Sequence, residues 1–274
     1  MKYSIGEFAE IIGVTTDTLR LYEKYNIITP TRDEKNNYRY YDDLDARDIL
    51  MSRWFRSLQI PLEDVATIIN DPSKEKILNK IIKTEENLKK EIKKKILLLN
   101  KITEIIKDIE KIDEGLNKCN IKETPGIYRL KQTYRNTLID DVRIKDAVDE
   151  WMSLLPHTFF SFKIDNKAFF SEDEYLKYTW GLGIEERKIG NFDLKIQDFI
   201  EYIPPKTCVS AIILSPHNQY LKRDLFQFMI DYVKKNKYAV EGDIFGKIII
   251  TIKDNEIKKS YLEVNIPIRA GKNF

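Results

Sequence analysis

The chain has 274 residues, of which 42% are hydrophobic and 33% charged, and its formal net charge is +2. That length suggests about two domains, and the near balance of 46 Lys and Arg against 44 Asp and Glu gives no global basic field to announce nucleic acid. Two cysteines, Cys119 and Cys208, and two histidines, His157 and His217, exclude a disulfide framework and a clustered iron–sulfur site. No long apolar run, signal peptide or anchoring motif is visible, so the expectation is a soluble, cytoplasmic chain with no membrane contact and no cofactor.

Ser4-Ile5-Gly6-Glu7 has the spacing of a capping box, with Tyr3 and Phe8 placed as its hydrophobic staple. A helix is predicted to start at Ile5. Gly13 punctuates the chain after Ile11-Ile12, and Thr15 can cap a second helix over 16–24, with Val14 and Leu19 repeating the staple. In that helix Thr16, Arg20 and Lys24 fall at i, i+4 and i+8 on one outer stripe. Hydroxyl, guanidinium and ammonium groups so arranged suit a groove edge and its phosphates. Residues 32–41 then read as a two-stranded hairpin, its polar Glu-Lys-Asn-Asn tip flanked by aromatic residues. Residues 1–70 hold nine Lys and Arg against twelve Asp and Glu, so a nucleic-acid reading rests on local arrangement.

The string TLRLYEKYNIITPTRDEKNNYRYYD resembles the DNA-binding segment of MerR-type transcription regulators. Its matching positions are Thr18, Arg20, Leu21, Tyr22, Glu23, Pro30, Arg32, Tyr38, Arg39 and Tyr41. Leu21 replaces the usual aromatic, and Asn26 stands where the family has Gly; Asn is the next most tolerant residue of a left-handed helix stop. The resemblance implies a winged helix-turn-helix over 1–72. Candidate DNA contacts are Thr16, Arg20 and Lys24 from the stripe, joined through the resemblance by Thr18, Tyr22, Tyr38, Arg39 and Tyr41.

Asp42-Asp43 can cap a helix carrying Leu44, Ile49, Leu50, Trp54, Phe55 and Leu58, and Pro61 at a first helical position starts another through Val65, Ile68 and Ile69. The longest periodic segment follows, over about 74–117. Steps of three and four from Leu78 give Leu78, Ile81, Glu85, Leu88, Ile92, Lys95, Leu99, Ile102, Ile106, Ile109, Asp113 and Leu116, nine apolar of twelve. A single helix of that length extends about 60 Å. Its stripe exceeds what one small domain can bury, so a homodimer is expected, and the resemblance implies an antiparallel coiled coil over 73–119 on a near-palindromic site. Cys119 lies where the metal-sensing branch of the family carries cysteines, which leaves a metal or redox sensor as an alternative.

Thr124-Pro125-Gly126 marks a break, after which strands are predicted at 127–134, 158–164 and 174–182 with a helix at 142–155. The same order returns as strand 207–214, helix 219–236 and strands 244–253 and 260–268. Strand, helix, strand, strand thus appears twice. With the terminal Tyr-Leu-Glu-Val-Asn-Ile-Pro-Ile at 261–268, this order resembles the GyrI-like effector-binding domain of multidrug-responsive MerR regulators, here over 120–274. The expected fold is therefore α+β and multidomain: a winged helix-turn-helix, a long dimerisation helix and a two-repeat α+β domain.

On the last strand Leu262, Val264, Ile266 and Ile268 point to a helix-covered core, and Tyr261, Glu263 and Asn265 point the other way. Residues 120–274 hold 22 of the 31 aromatic residues. Glu263 and Tyr261, with Tyr134, Tyr178 and Trp180 from other strands, are the candidate ligand-binding residues, since a carboxylate among rings suits a bulky organic cation. The resemblance implies the same role for a strand carboxylate. Glu185, Glu186 and Glu201 are weaker candidates in expected connections. The expected protein is a MerR-type, ligand-responsive regulator whose partners are double-stranded promoter DNA, a second copy, a small effector and, indirectly, RNA polymerase. A GyrI-like hydrolase is the alternative of another class, although no nucleophile–base set can be read around the isolated histidines.

Overall fold

A computed structural model describes residues 2–34, 37–134, 137–217, 220–254 and 256–269. The expected hairpin tip at Lys35-Asn36 lies outside the described residues. The chain divides into two compact units, 1–96 and 97–274.

The first unit contains β1 (Tyr3–Ser4), α1 (Ile5–Ile12), α2 (Thr16–Lys24), β2 (Thr31–Arg32), β3 (Arg39–Tyr41), α3 (Asp43–Ser57), α4 (Leu62–Asn70) and the start of α5 (Lys74–Glu110). The capping box forms as expected: Ser4 N–H donates to Glu7 Oε2 at 2.9 Å, Glu7 N–H donates to Ser4 Oγ at 3.5 Å, and Tyr3 stacks 6.4 Å from Phe8. Thr15 Oγ1 accepts the Thr18 N–H at 3.1 Å to start α2. Asn26 stops it at φ 55°, where the Ile27 N–H returns to the Tyr22 carbonyl at 2.9 Å. Asparagine thus does the work of the glycine it replaces. Phe8, Leu19, Tyr22, Ile28, Tyr41 and Ile49 form the core. Two local readings need correction: β1 pairs with β3 and makes the wing three-stranded, and Pro61 is the cap before α4 rather than its first residue.

In the second unit α5 ends at Glu110, and after Lys111 a separate turn, α6 (Ile112–Gly115), carries Ile112 into a buried position. The single helix expected to 117 is therefore broken, and the seam positions Asp113 and Leu116 lie beyond it. Leu116 instead bridges to Ile212. There follow β4 (Asn120–Thr124), β5 (Ile127–Lys131), β6 (Thr133–Tyr134), β7 (Thr137–Leu138), α7 (Val142–Ser153), β8 (Phe159–Ile164), α8 (Asn166–Phe169), β9 (Tyr178–Glu185) and α9 (Glu186–Ile189). The chain continues through β10 (Glu201–Ile203), β11 (Lys206–Pro216), a 3-10 turn at Arg223–Phe226, α10 (Gln227–Lys235), β12 (Ala239–Val240), β13 (Ile244–Asp254) and β14 (Ile257–Arg269).

The main sheet runs β10-β5-β9-β8-β13-β14-β11-β4, with β12 on β14. The two expected repeats, β5-α7-β8-β9 and β11-α10-β13-β14, meet at the β8–β13 pair and mirror each other outward. The short strands β4 and β10, which read as connections in the sequence, each precede one repeat and pair with the first strand of the other. Both helices cover the same sheet face. Beneath α10 lie Val209, Ile213, Val264 and Ile266, and beneath α7 lie Leu130, Leu182 and Ile184 around Trp151. The strand parity expected for Leu262, Val264, Ile266 and Ile268 is the observed one. No described helix is long and apolar enough to cross a membrane.

Candidate nucleic-acid interface and effector site

The α2 stripe leaves Arg20 and Lys24 exposed and Thr16 half-buried. Arg20 Nη1 donates to Asp17 Oδ1 at 2.9 Å, but both side chains are mostly in water, where such a pair is worth little and yields to a phosphate. Thr18 shares its hydroxyl with Thr15 at 2.9 Å and serves the cap. Glu23, read in the sequence only as part of a motif, has a structural task. Its carboxylate accepts from Arg39 Nε at 2.8 Å and from Arg32 Nη2 at 3.1 Å, tying α2 to the central strand β3 and the edge strand β2 of the wing. The bond from Glu23 also raises the Arg39 pKa.

Two of the candidate contacts are corrected. Tyr41 is fully buried and stacks on Phe8 with ring centroids 4.8 Å apart, and Tyr22 is also a core residue, so neither ring is available for a contact at the surface. Tyr38 remains exposed near the wing tip. The candidate surface is thus Thr16, Arg20 and Lys24 beside Tyr38 and a clamped Arg39.

In the second unit the candidate ligand residues separate. Glu263 sits on the sheet face away from α7 and α10, opposite Lys247 in the β13–β14 register. Lys122 Nζ lies 2.8 Å from its Oε1 and Lys247 Nζ 3.8 Å from its Oε2, and Asn265 Nδ2 donates to it at 3.1 Å. Burial would raise this carboxyl, yet Lys247 and Lys122 hold it below its ordinary range. The cation expected from a ligand is supplied by the chain itself. Lys247 also reaches Asp108 of α5 at 2.5 Å, and Lys188 pairs with Glu104 of the same helix.

Tyr178 and Trp180 lie on the opposite, helix-covered face, because the β8–β9 register sets them against Ile164 and Phe162. The expectation that they join Glu263 and Tyr261 in one site is corrected on that ground. They line a cavity of about 440 Å³ with Phe160, Phe162, Leu221 and Leu262. Tyr134, on the separate β6–β7 ribbon, lies outside that lining and sits 5.9 Å from the Lys131 ammonium. Burial raises the Tyr178 phenol above its ordinary value, so it stays a neutral donor.

The weaker carboxylates are also satisfied within the chain. Glu201 lies on β10 rather than in a connection and accepts from the fully buried Arg129 at 2.8 Å, Glu186 accepts from the Tyr202 hydroxyl at 2.8 Å, and Glu185 pairs with Arg187 at 2.6 Å. His217, isolated in sequence, reaches Ser260 Oγ through Nδ1 at 2.9 Å, and Thr251 Oγ1 lies 2.9 Å from the same hydroxyl. The β13–β14 register sets Thr251 against Ser260, and the β11–β14 pairing, continued by the His217 N–H on the Lys258 carbonyl at 2.9 Å, brings in His217. Cys119 packs against the α10 core, and burial pushes its thiol up to about 11. Such a thiol is protonated at neutral pH in the chain as it stands.

Comparison with known proteins matches residues 3–71 to the MerR HTH family regulatory proteins. The transcriptional activator TipA of Streptomyces coelicolor is 33% identical over 73 residues, 27% of this chain and 29% of TipA. The multidrug-efflux transporter 2 regulator of Bacillus subtilis is 28% identical over 132 residues, 48% of this chain and 47% of that protein. The chain thus spans less than half the length of either relative. The cryo-EM structure of an EcmrR–DNA complex has 17% identity and a TM-score of 0.35, over 97% of this chain and 99% of that one. The capped helix pair, the left-handed stop at Asn26 and the wing held by Glu23 coincide with the matched segment, and residues 3–71 are a helix-turn-helix domain of the MerR family.

Proposed function

We propose that the chain is a transcription regulator that binds a near-palindromic promoter site as a homodimer and responds to a small molecule received by residues 120–274. The observation that carries this reading is the exposed α2 stripe beside a wing fixed to it by one carboxylate. A preorganised helix and wing lose little freedom on docking, so their cationic groups can act on groove and backbone together. Dimerisation is supported by the row Leu88, Ile92, Leu99, Ile102, Ile106 and Ile109 on α5, which is 40 to 62% exposed in the single chain. Exposed Leu50, Met51 and Trp54 on α3 add a second apolar surface. The relatives' names as regulators and the absence of a catalytic task for the attached helix-turn-helix support a non-enzymatic role. RNA polymerase is then an indirect partner, reached through DNA whose shape the bound dimer controls.

The test is duplex binding by fluorescence anisotropy across a salt titration. Arg20→Ala and Arg39→Ala are each expected to weaken binding, and removal of a phosphate-binding group lowers the slope against log salt by about one. Removal of a base-reading group would instead relax sequence preference. Unchanged affinity and slope for both variants would overturn the assignment.

A further inference from the structure

We propose that the cavity beneath Tyr178 and Trp180 is the effector site and that its ligand is an uncharged, flat, multi-ring molecule carrying one hydrogen-bonding group. This deepens the regulator reading and rests on it. Four observations converge. Among the described residues the lining contains no Asp, Glu, Lys or Arg, so a charged ligand would lose its hydration without a counter-charge. The volume of about 440 Å³ is within the range of pockets that hold drug-sized molecules. Phe160 and Trp180 leave 49% and 37% of their surface exposed, an apolar area that a stacked ring system would cover.

The fourth observation is the polar group at the cavity wall. Ser260 Oγ is shared between His217 Nδ1 and Thr251 Oγ1, which fixes the imidazole and leaves its Nε2 as the group it can offer. Because that hydroxyl is already engaged on both sides, the Ser260–His217 pair works as an anchor rather than as a nucleophile and base. Its presence distinguishes this wall from plain core packing, since the imidazole of His217, exposed at the rim and held in one orientation by the buried Ser260, selects the hydrogen-bonding group of its guest. The opposite sheet face offers the contrasting chemistry, and there Glu263 is already matched by Lys122 and Lys247. A cationic ligand would have to displace two ammonium groups tethered to the same chain.

The experiment is calorimetric titration of the full chain with two probes of one shape, neutral acridone and cationic N-methylacridinium. Acridone is expected to bind at least about tenfold more tightly. Trp180→Ala and Phe160→Ala, both at the exposed mouth, should each weaken acridone by about tenfold, Trp180→Phe should restore most of it, and Glu263→Gln should leave it unchanged. Circular dichroism of each variant checks that the fold is retained. A preference for N-methylacridinium that Glu263→Gln abolishes would overturn the cavity assignment and leave a regulator with its site on the charged face. Silence of the wild type toward both probes would also overturn it. The regulator reading fails separately, if the same preparation shows no sequence-selective duplex binding.

Discussion

Helices α5 and α10 both carry apolar rows, and their fates differ. The row on α10 and its preceding turn, Phe226, Met229, Ile230 and Val233, is buried on the sheet of its own chain. The outward row on α5 stays in water from Leu88 to Ile109, while the inward side of its last turns is tied down by charge, through Glu104 with Lys188 and Asp108 with Lys247. An apolar row satisfied within the chain stabilises a domain, whereas the one left open on a helix of 37 residues is the row proposed to bury against a second chain. The same amphipathic pattern thus does two jobs, and only the surroundings tell them apart.

That contrast can be broken most severely on α5. The double variant Ile102→Asp and Ile106→Asp places two charges in the row, and the dimer should dissociate with a loss of about 4 kcal/mol or more, read by sedimentation and by duplex binding. Its chain should keep its secondary structure, because neither residue is buried in the single chain. Met229→Ala makes the opposite test: unfolding stability should fall by about 3 kcal/mol while the oligomeric state is preserved. A dimer that came apart with Met229→Ala but survived the α5 double variant would reverse the assignment of the two rows.

Smaller effects sharpen the inward side of α5. Asp108→Asn removes the partner of Lys247, and since Asp108 is more than a third exposed, solvent screening should hold the stability loss to about 1 kcal/mol in a denaturant titration. Glu263, held below its ordinary carboxyl value of 4.5 by Lys247 and Lys122, contributes stability that is fully present above that value. The contribution is lost as pH falls through the lower folded value. Glu263→Gln should therefore flatten the acid limb of the stability profile below about pH 4.5 and have its largest cost at neutral pH. An acid limb identical to the wild type's would remove Glu263 from this network.

Features whose cause is local were legible in the sequence. Ser4 with Glu7, Thr15, and Asn26 at a left-handed stop each act within four residues, and the two strand-helix-strand-strand repeats follow from long alternating runs. Strands β4 and β10 were not legible, because Asn120–Thr124 and Glu201–Ile203 are short and polar and exist through pairing with the distant β11 and β5. Register hid the rest of the effector face. The parity of Glu263 against Leu262 is readable in one strand, but which face holds Tyr178 and Trp180 depends on the β8–β9 and β13–β8 pairings. The lysines that neutralise Glu263 arrive in the same way, from β4 and β13. Burial of Tyr22 and Tyr41 was equally hidden, since a tyrosine at helical or strand spacing reads the same whether it braces a core or faces a groove.

Sedimentation velocity of the full chain at micromolar concentration, alone and with a duplex bearing a near-palindromic site, tests the dimeric regulator most directly. The expected result is a species of twice the 32.5 kDa chain mass in the absence of DNA, binding one duplex per dimer, and reduced to the single-chain mass by the Ile102→Asp and Ile106→Asp pair. A wild type that sediments at the single-chain mass, or a dimer unaffected by both charges, would contradict the role assigned to α5.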